Sequence, residues 1–219
     1  MSRLISTIRF VKKPASEEEY CIGIDSDGVH AAEGLIIARY MMFTQVYFHK
    51  TRVIYDHHLV EVLKEILAND GGTFPSPINK EGVEKYLSWD DWRVFGQLSD
   101  MNSENAVALR NRQHYRLVFE SPEVANTSDI LFVENAMTEL KNAGINPVRR
   151  DSSKSWYKFD NPATEILVHR VDGRTDDEVV PMTEVSTSVK GLPPVRQSRI
   201  YVAQSQRKEA RKVINTLQA

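Results

Sequence analysis

The chain has 219 residues, of which 41% are hydrophobic and 26% are charged, so it can form a sizeable core as ordinary globular proteins do. Its 28 basic and 30 acidic side chains give a net charge of −2, which argues against a general affinity for nucleic acid or for anionic membranes. Cys21 is the only cysteine, which excludes a disulfide framework and a cysteine-based zinc site and favours a reducing, cytoplasmic location. No apolar stretch is long enough for a membrane span, and the basic N-terminus lacks the apolar stretch of a signal peptide.

The N-terminal part of the chain is predicted to be mostly helical. Two short strand candidates at residues 3–12 and 20–24 come first, followed by a turn. The spacing of apolar side chains then predicts a helix over residues 30–48 and a second over residues 51–68. Because the first of these helices is apolar on nearly all faces, we expect it to be buried among others. Three shorter helices follow. The first covers residues 79–87, the second begins after Ser88, which is a good N-cap, and the third covers residues 102–112.

The character of the sequence changes near residue 112, where strand-forming residues become frequent. A helix at residues 127–143 and a last helix at residues 206–217 accompany several predicted strands, at residues 115–119, 148–151, 156–159, 165–171 and 199–202. Residues 172–190 are polar and acidic, which predicts a loop. We therefore predict an α+β fold, with a helical lobe over residues 1–112 and a small mixed lobe over residues 113–219 that contains an antiparallel sheet.

Arg39 and Tyr47 are the most informative polar side chains of the first predicted helix. They are eight residues apart, so on an α-helix they project about 80° apart and two turns along. Arginine suits phosphate because its guanidinium is planar and permanently charged, and tyrosine can pack on a sugar. The alternative is structural: Arg39 would pair with Glu33 or Asp56, and Tyr47 would be a core aromatic.

The histidines give no pattern for metal binding. Asp56, His57 and His58 are consecutive, so on a helix they point in three directions and cannot share one ion. The other histidines form no metal-ligand motif, and Cys21 reads as an inert buried thiol. We expect no metal site and no catalytic residue within this chain, and we interpret His57 as a packed core histidine.

Residues 28–52, which read GVHAAEGLIIARYMMFTQVYFHKTR, resemble a helix of bacterial HD-domain phosphohydrolases, relatives of the SAM-and-HD-domain dNTP triphosphohydrolases. The match is dense and without gaps, and it includes the pattern R-x7-Y-x-H-K. The resemblance implies that Arg39 contacts a triphosphate and that Tyr47 contacts a deoxyribose. It makes His49 and Lys50 further candidates for substrate binding.

The family's metal ligands lie before this helix, and no counterpart of them occurs in the sequence. The resemblance therefore implies that a divalent metal (Mn, Mg, Fe or Ni) is held by an HD-bearing N-terminal half or a homologous subunit. We expect the chain to complete the nucleotide pocket, to support a homo-oligomer and to be inactive alone. If the HD-bearing part packs on the first helix, that helix should expose an apolar face here.

Two other functions remain open from the residues. One is a non-catalytic regulatory module that binds a nucleotide or a protein. The other is a nucleic-acid-binding protein that uses a basic stripe on the last helix, formed by Arg207, Lys208, Arg211 and Lys212. The simpler interpretation, which we favour, is that the stripe is the solvent-exposed face of the helix.

Overall fold

The computed structural model describes residues 2–13, 19–68, 71–154, 165–170 and 178–218. The fold is α+β, as predicted, and contains two small sheets with helices. The chain forms two compact units, the first from residues 1–47 and 153–196 and the second from residues 48–152 and 197–219. These units do not coincide with the lobes predicted at residues 1–112 and 113–219. Strand pairing is the reason, because an early strand joins a later one in the same sheet.

The first unit is built on a four-stranded sheet of order β1-β2-β5-β6. Its strands and helices are α1 (Ser2–Ser6), β1 (Ile8–Lys12), β2 (Tyr20–Asp25), α2 (Val29–Met42), β5 (Leu167–Arg170), β6 (Glu178–Pro181), α8 (Met182–Val185) and α9 (Thr187–Lys190). The β1–β2 and β5–β6 pairs are antiparallel, and β2 pairs with β5 in parallel. Gly23 permits the central pairing, because a Cβ there would lie 2.7 Å from the Leu167 carbonyl oxygen.

The core of the first unit forms where one side of α2 meets the sheet. Ala32 and Ile36 of α2 pack with Ile24, Val168 and residues of α8 and α9. The rest of the α2 surface is open, and its exposed apolar side chains are Leu35, Met41 and Met42. The prediction that this helix is buried on all faces is therefore wrong within this chain, and the expected exposed apolar face is present.

The second unit combines a helical layer with a three-stranded sheet of order β3-β7-β4. Its elements are α3 (Lys50–Ile66), α4 (Lys80–Leu87), α5 (Asp91–Asp100), α6 (Glu104–Arg110), β3 (Arg116–Glu120), α7 (Thr127–Asn142), β4 (Val148–Lys154, the end of which belongs to the first unit), β7 (Val195–Val202, the start of which does too) and α10 (Arg207–Gln218). One core joins β7 to α7 and α10 through Ile200, Val202 and Leu140. A smaller core joins α3, α5 and α6 through Val62 and Leu98.

The local structure corrects two sequence predictions, the cap of α5 and the loop at residues 178–190. Asp90, rather than Ser88, caps α5, since its carboxylate accepts the Arg93 N–H at 2.8 Å. Asn126 caps α7 and forms a capping box with Asp129. Residues 178–190 are not a loop, because β6, α8 and α9 lie there. The predicted strand at residues 156–159 lies outside the described residues.

Within the described ranges, none of the helices combines the length and the apolarity that crossing a bilayer requires.

Candidate functional site

The end of α2 carries the two side chains that the sequence analysis singled out. The α-helix stops at Met42 and continues as a single π-helical turn, Phe43–Tyr47. Such a turn rotates less per residue than an α-turn, so Tyr47 swings towards the side of the helix that carries Arg39. Isolated π-turns are frequent at functional sites.

Phe43 joins these side chains into one cluster. Its ring centroid lies 4.7 Å from that of Tyr47, with the rings tilted by 45°. The guanidinium carbon of Arg39 lies 5.8 Å from the Phe43 centroid, and Nζ of Lys154 lies 5.3 Å from it. Both cations therefore lie beside the Phe43 ring, which in turn contacts the ring of Tyr47. This aromatic–cationic cluster, formed by Arg39, Phe43, Tyr47 and Lys154, belongs to the first unit.

The alternative roles of Arg39 and Tyr47 do not fit the structure. Glu33 accepts hydrogen bonds from Ser186 at 2.5 Å and pairs with His30 at 2.8 Å. Asp56 lies 3.6 Å from Arg52 in the turn before it. Among the described residues Arg39 is in no ion pair, and its side chain is exposed. Tyr47 is 40% exposed, so it is not a core aromatic.

His49 and Lys50, the other two predicted binding residues, belong to the second unit. His49 caps α3, because its Nδ1 accepts the Thr51 N–H at 3.3 Å. That bond gives His49 a structural role at the start of the helix. Lys50 lines a cavity instead.

The cavity beside Lys50 has a volume of about 200 Å³ and is basic. Arg207 and Arg211, one turn apart on α10, line it together with Arg116 from β3. Its described lining residues include no carboxylate and are Lys50, Thr51, Ile54, His114, Tyr115, Arg116, Leu117, Tyr201, Arg207 and Arg211. Nε of Arg207 is buried and has no hydrogen-bond partner among the described residues. We call this cavity the basic pocket.

Hydrogen bonds fix the polar groups around the basic pocket. Arg116 donates to Nε2 of His114 at 3.1 Å, so that nitrogen is an acceptor. Burial, and then the charge of Arg116, lower the pKa of His114, while the backbone carbonyl of Arg112 opposes the shift. Burial and a hydrogen bond to Glu104 raise the pKa of Tyr115 to about 12. With His114 neutral and both tyrosines of the pocket protonated, its arginines and Lys50 supply a positive charge that no described lining residue offsets, which suits an anion.

The histidines of α3 differ from the prediction by one position. His58, rather than His57, is the core histidine: it is fully buried. Its Nδ1 lies 2.8 Å from Oδ1 of Asn105, and its Nε2 accepts the Tyr115 N–H at 3.2 Å. His57 is only half-buried, and burial followed by the neighbouring His58 lowers its pKa.

The described residues do not fit a divalent metal. No group of three or more His, Cys, Asp and Glu side chains within them could hold an ion. Both ring nitrogens of His58 are already engaged in hydrogen bonds with protein groups.

Sequence reasoning missed Phe43 and Lys154. Phe43 lies four residues from both Arg39 and Tyr47, so helical spacing could have placed it between them. No sequence signal connects Lys154 to this helix, because only the fold brings it to the Phe43 ring.

A family model described as "HD associated region" matches residues 1–143. The chain is similar to the crystal structure of a hypothetical protein from Aquifex aeolicus, with a TM-score of 0.75 and 24% identity over 97% of this chain. It is also similar to the crystal structure of a phosphohydrolase from Bacteroides thetaiotaomicron, with a TM-score of 0.58 and 20% identity over 93% of this chain. No protein of curated function matches it.

The two solved structures are longer than this chain. The match covers 50% of the Aquifex aeolicus chain and 55% of the Bacteroides thetaiotaomicron chain. The chain thus spans about half the length of each, and at these identities the likeness shows a shared fold.

Proposed function

From the premise that the chain belongs to the family of HD-associated regions, we propose that it completes the nucleotide pocket of a dNTP triphosphohydrolase-like enzyme. Its relation to HD-domain phosphohydrolases, inferred above from residues 28–52, is confirmed by the family match. The observation that carries the proposal is the aromatic–cationic cluster, because it combines cations for phosphate with the exposed ring of Tyr47 for a sugar or a base.

Each part of the cluster suits one part of a nucleotide. The guanidinium of Arg39 can donate two parallel hydrogen bonds to phosphate oxygens, and Lys154 adds a second charge. The exposed face of Tyr47 offers a flat surface for a deoxyribose, and its ring contact with Phe43 holds that face in place. In this assignment the chain binds and orients the substrate.

Hydrolysis itself is assigned to a partner. The described residues offer no ligand set for a metal, so no hydrolytic step is assigned to them. An HD-bearing half or a homologous subunit would hold the divalent ion (Mn, Mg, Fe or Ni) that activates water. The exposed apolar residues of α2 would pack against that partner, and the assembly would work in the reducing cytoplasm.

Nucleotide binding tests the proposal directly. The chain is mixed with its HD-bearing partner and titrated with dATP in a calorimeter. EDTA is present to remove the divalent metal, so that affinity is measured without turnover. Arg39→Ala should weaken binding by roughly 10- to 100-fold, the value of a charge-assisted contact. Arg196→Ala is the matched control, since Arg196 is also an exposed arginine of the first unit. Equal affinities for the two variants would contradict the proposed role of Arg39.

The basic pocket favours a second function, regulation by an anionic ligand such as a nucleotide phosphate. The specific observation is the convergence of Lys50, Arg116, Arg207 and Arg211 without a lining carboxylate. Tripolyphosphate should bind the chain, and the double variant Arg207→Ala/Arg211→Ala should abolish binding while Lys208→Ala, an exposed change on the same helix, leaves it intact. Binding of duplex DNA that weakens steeply with salt would instead support the nucleic-acid interpretation.

A further inference from the structure

A second cavity adjoins the basic pocket within the second unit. It has a volume of about 490 Å³ and lies between α6, the start of β3 and residues 203–205, which follow β7. We call it the adjoining cleft. Tyr115 and Arg116 line both cavities, so the two are direct neighbours.

The side chain of Arg116 lies at the boundary between the two cavities. Its Nε donates to Oε1 of Gln204 at 2.8 Å, and Gln204 lines the adjoining cleft. A terminal nitrogen of the same guanidinium donates to Nε2 of His114 at 3.1 Å, and His114 lines the basic pocket. A guanidinium carries more N–H groups than these two bonds use, so Arg116 can also donate to a ligand that passes from one cavity into the other.

The two cavities differ in the charges that they present. The described lining of the basic pocket has cations and no carboxylate. The adjoining cleft contains the carboxylate of Glu104, which accepts a hydrogen bond of 2.8 Å from the hydroxyl of Tyr115. The uncharged polar side chains of Gln113, Gln204 and Ser205 line the cleft as well. A phosphate in the cleft would be repelled by Glu104, whereas an N–H group of an uncharged ring would find an acceptor there.

The two cavities also differ in size. Small-molecule sites commonly have volumes of about 300–1,000 Å³. The basic pocket, at about 200 Å³, lies below that range and suits a small anionic group, whereas the adjoining cleft lies within it. Val107, Ala108 and Ala203 give the cleft an apolar wall against which a flat ring can pack. A ligand that fills both cavities is therefore anionic at one end and carries an uncharged ring at the other.

We propose that a nucleoside polyphosphate binds across the two cavities, with its phosphates in the basic pocket and its base in the adjoining cleft. The phosphate oxygens accept from the buried Nε of Arg207, which has no hydrogen-bond partner among the described residues. Glu104 accepts a hydrogen bond from the amino group of the base. This binding mode rests on the second function proposed above, and it adds that the ligand is a nucleotide whose base carries an amino group.

Calorimetry of the full chain with Arg39→Ala tests the binding mode, because that substitution weakens nucleotide binding at the aromatic–cationic cluster. EDTA is present, and the titrants are tripolyphosphate, ATP and the triphosphate of purine riboside, whose base lacks the amino group. ATP should bind roughly 10-fold more tightly than the purine riboside triphosphate, the value of a hydrogen bond to a charged acceptor. Both nucleotides should bind more tightly than tripolyphosphate, since their bases pack in the adjoining cleft.

Glu104→Gln, added to the same chain, tests the contact with the base. The amide keeps an acceptor for the Tyr115 hydroxyl, so the fold of the cleft is retained. ATP should bind roughly 10-fold more weakly, and its advantage over the purine riboside triphosphate should disappear. Loss of a negative charge alone would tighten the binding of every anion, so charge does not explain a weaker affinity for ATP. Glu134→Gln is the matched control, because Glu134 is an exposed carboxylate on α7 of the same unit.

The outcomes separate this binding mode from the function on which it rests. Tripolyphosphate binding that requires Arg207 and Arg211, with no advantage for ATP, would overturn the binding mode and leave the anion pocket intact. Failure of tripolyphosphate to bind would contradict the anion pocket, and the binding mode with it. ATP binding that survives Arg207→Ala/Arg211→Ala would also overturn the binding mode, because the phosphates would then lie elsewhere.

Discussion

The hydroxyl of Tyr201 donates a hydrogen bond of 2.8 Å to the backbone carbonyl of Lys50, 151 residues earlier in the chain. Tyr201 lies on β7 and Lys50 is the first residue of α3, so this bond ties the start of the helix to the sheet of the same unit. Burial raises the pKa of Tyr201, which keeps the hydroxyl protonated and able to donate. Both residues line the basic pocket, and the bond therefore holds one wall of that pocket in place.

Tyr201→Phe should lower the free energy of unfolding by about 1 kcal/mol, because the ring keeps its packing and one hydrogen bond is lost. Urea denaturation measures the difference. Tyr86→Phe is the control, since Tyr86 is 47% exposed and should give the wild-type midpoint. If both variants unfold like the wild type, the bond between β7 and α3 does not stabilise the fold.

His58→Ala should cost about 3 kcal/mol of stability, since it empties a buried site and removes the acceptor of the Tyr115 N–H. His57→Ala should cost about 1 kcal/mol, because that side chain is only half-buried. Chemical denaturation of the two variants side by side shows which of the two histidines of α3 faces the core. A larger loss for His57→Ala would restore the assignment made from the sequence and contradict the structure.

Stability should fall as the pH drops below about 6.5, where unfolded histidine takes up a proton. Burial comes first among the causes that lower the pKa of His57 and of His114 in the folded chain. At pH values between the histidine pKa of the folded state and that of the unfolded state, the unfolded state therefore binds more protons than the folded state. The stability that is present at higher pH is lost as the pH falls through this range. Carboxyls with lowered pKa, such as those of Glu33 and Glu61, titrate below pH 4.5 and in a separate window.

Urea denaturation at a series of pH values between about 5 and 8, which bracket the histidine reference pKa of about 6.5, measures how the free energy of unfolding depends on pH. His114→Gln removes one of the two shifted groups and should give a shallower dependence on pH than the wild type. A variant with the wild-type slope would show that His114 does not contribute.

Arg112→Gly should raise the stability by about 1 kcal/mol. Arg112 has a φ of 55°, a left-handed conformation that costs a side chain with a Cβ more than it costs glycine. It follows the end of α6, where the next residue, Gln113, donates to the Ala108 carbonyl at 2.9 Å. Thermal unfolding at low protein concentration measures the gain, and Arg112→Ala, which keeps the Cβ, should not show it.

Periodicity in the sequence was sufficient for the elements that carry a regular apolar pattern. Strand β2 and helix α3 were predicted to within two residues of their observed bounds. The strand candidate at residues 3–12 is correct only over Ile8–Lys12, because Ser2–Ser6 forms helix α1. The segment 178–190 was predicted wrongly because its apolar residues are scattered among Thr, Ser and acidic residues. Met182 and Val189 are fully buried there only because α2 and β5 pack on them, which is tertiary information.

The same limit applies to the candidate sites. The spacing of Arg39 and Tyr47 identified the end of α2, but an α-helical projection could not anticipate the π-turn between them. Arg207 and Arg211 read as a solvated stripe from the sequence. The structure adds Lys50 and Arg116 to them from α3 and β3, which makes the stripe one wall of a pocket.

Hydrolysis of dATP with Mn²⁺ by this chain, by an HD-bearing half and by their mixture tests the central claim most directly. We expect turnover only in the mixture, and a large loss of turnover for Arg39→Ala but not for Arg196→Ala. Hydrolysis by this chain alone, or full activity of the mixture with Arg39→Ala, would contradict it.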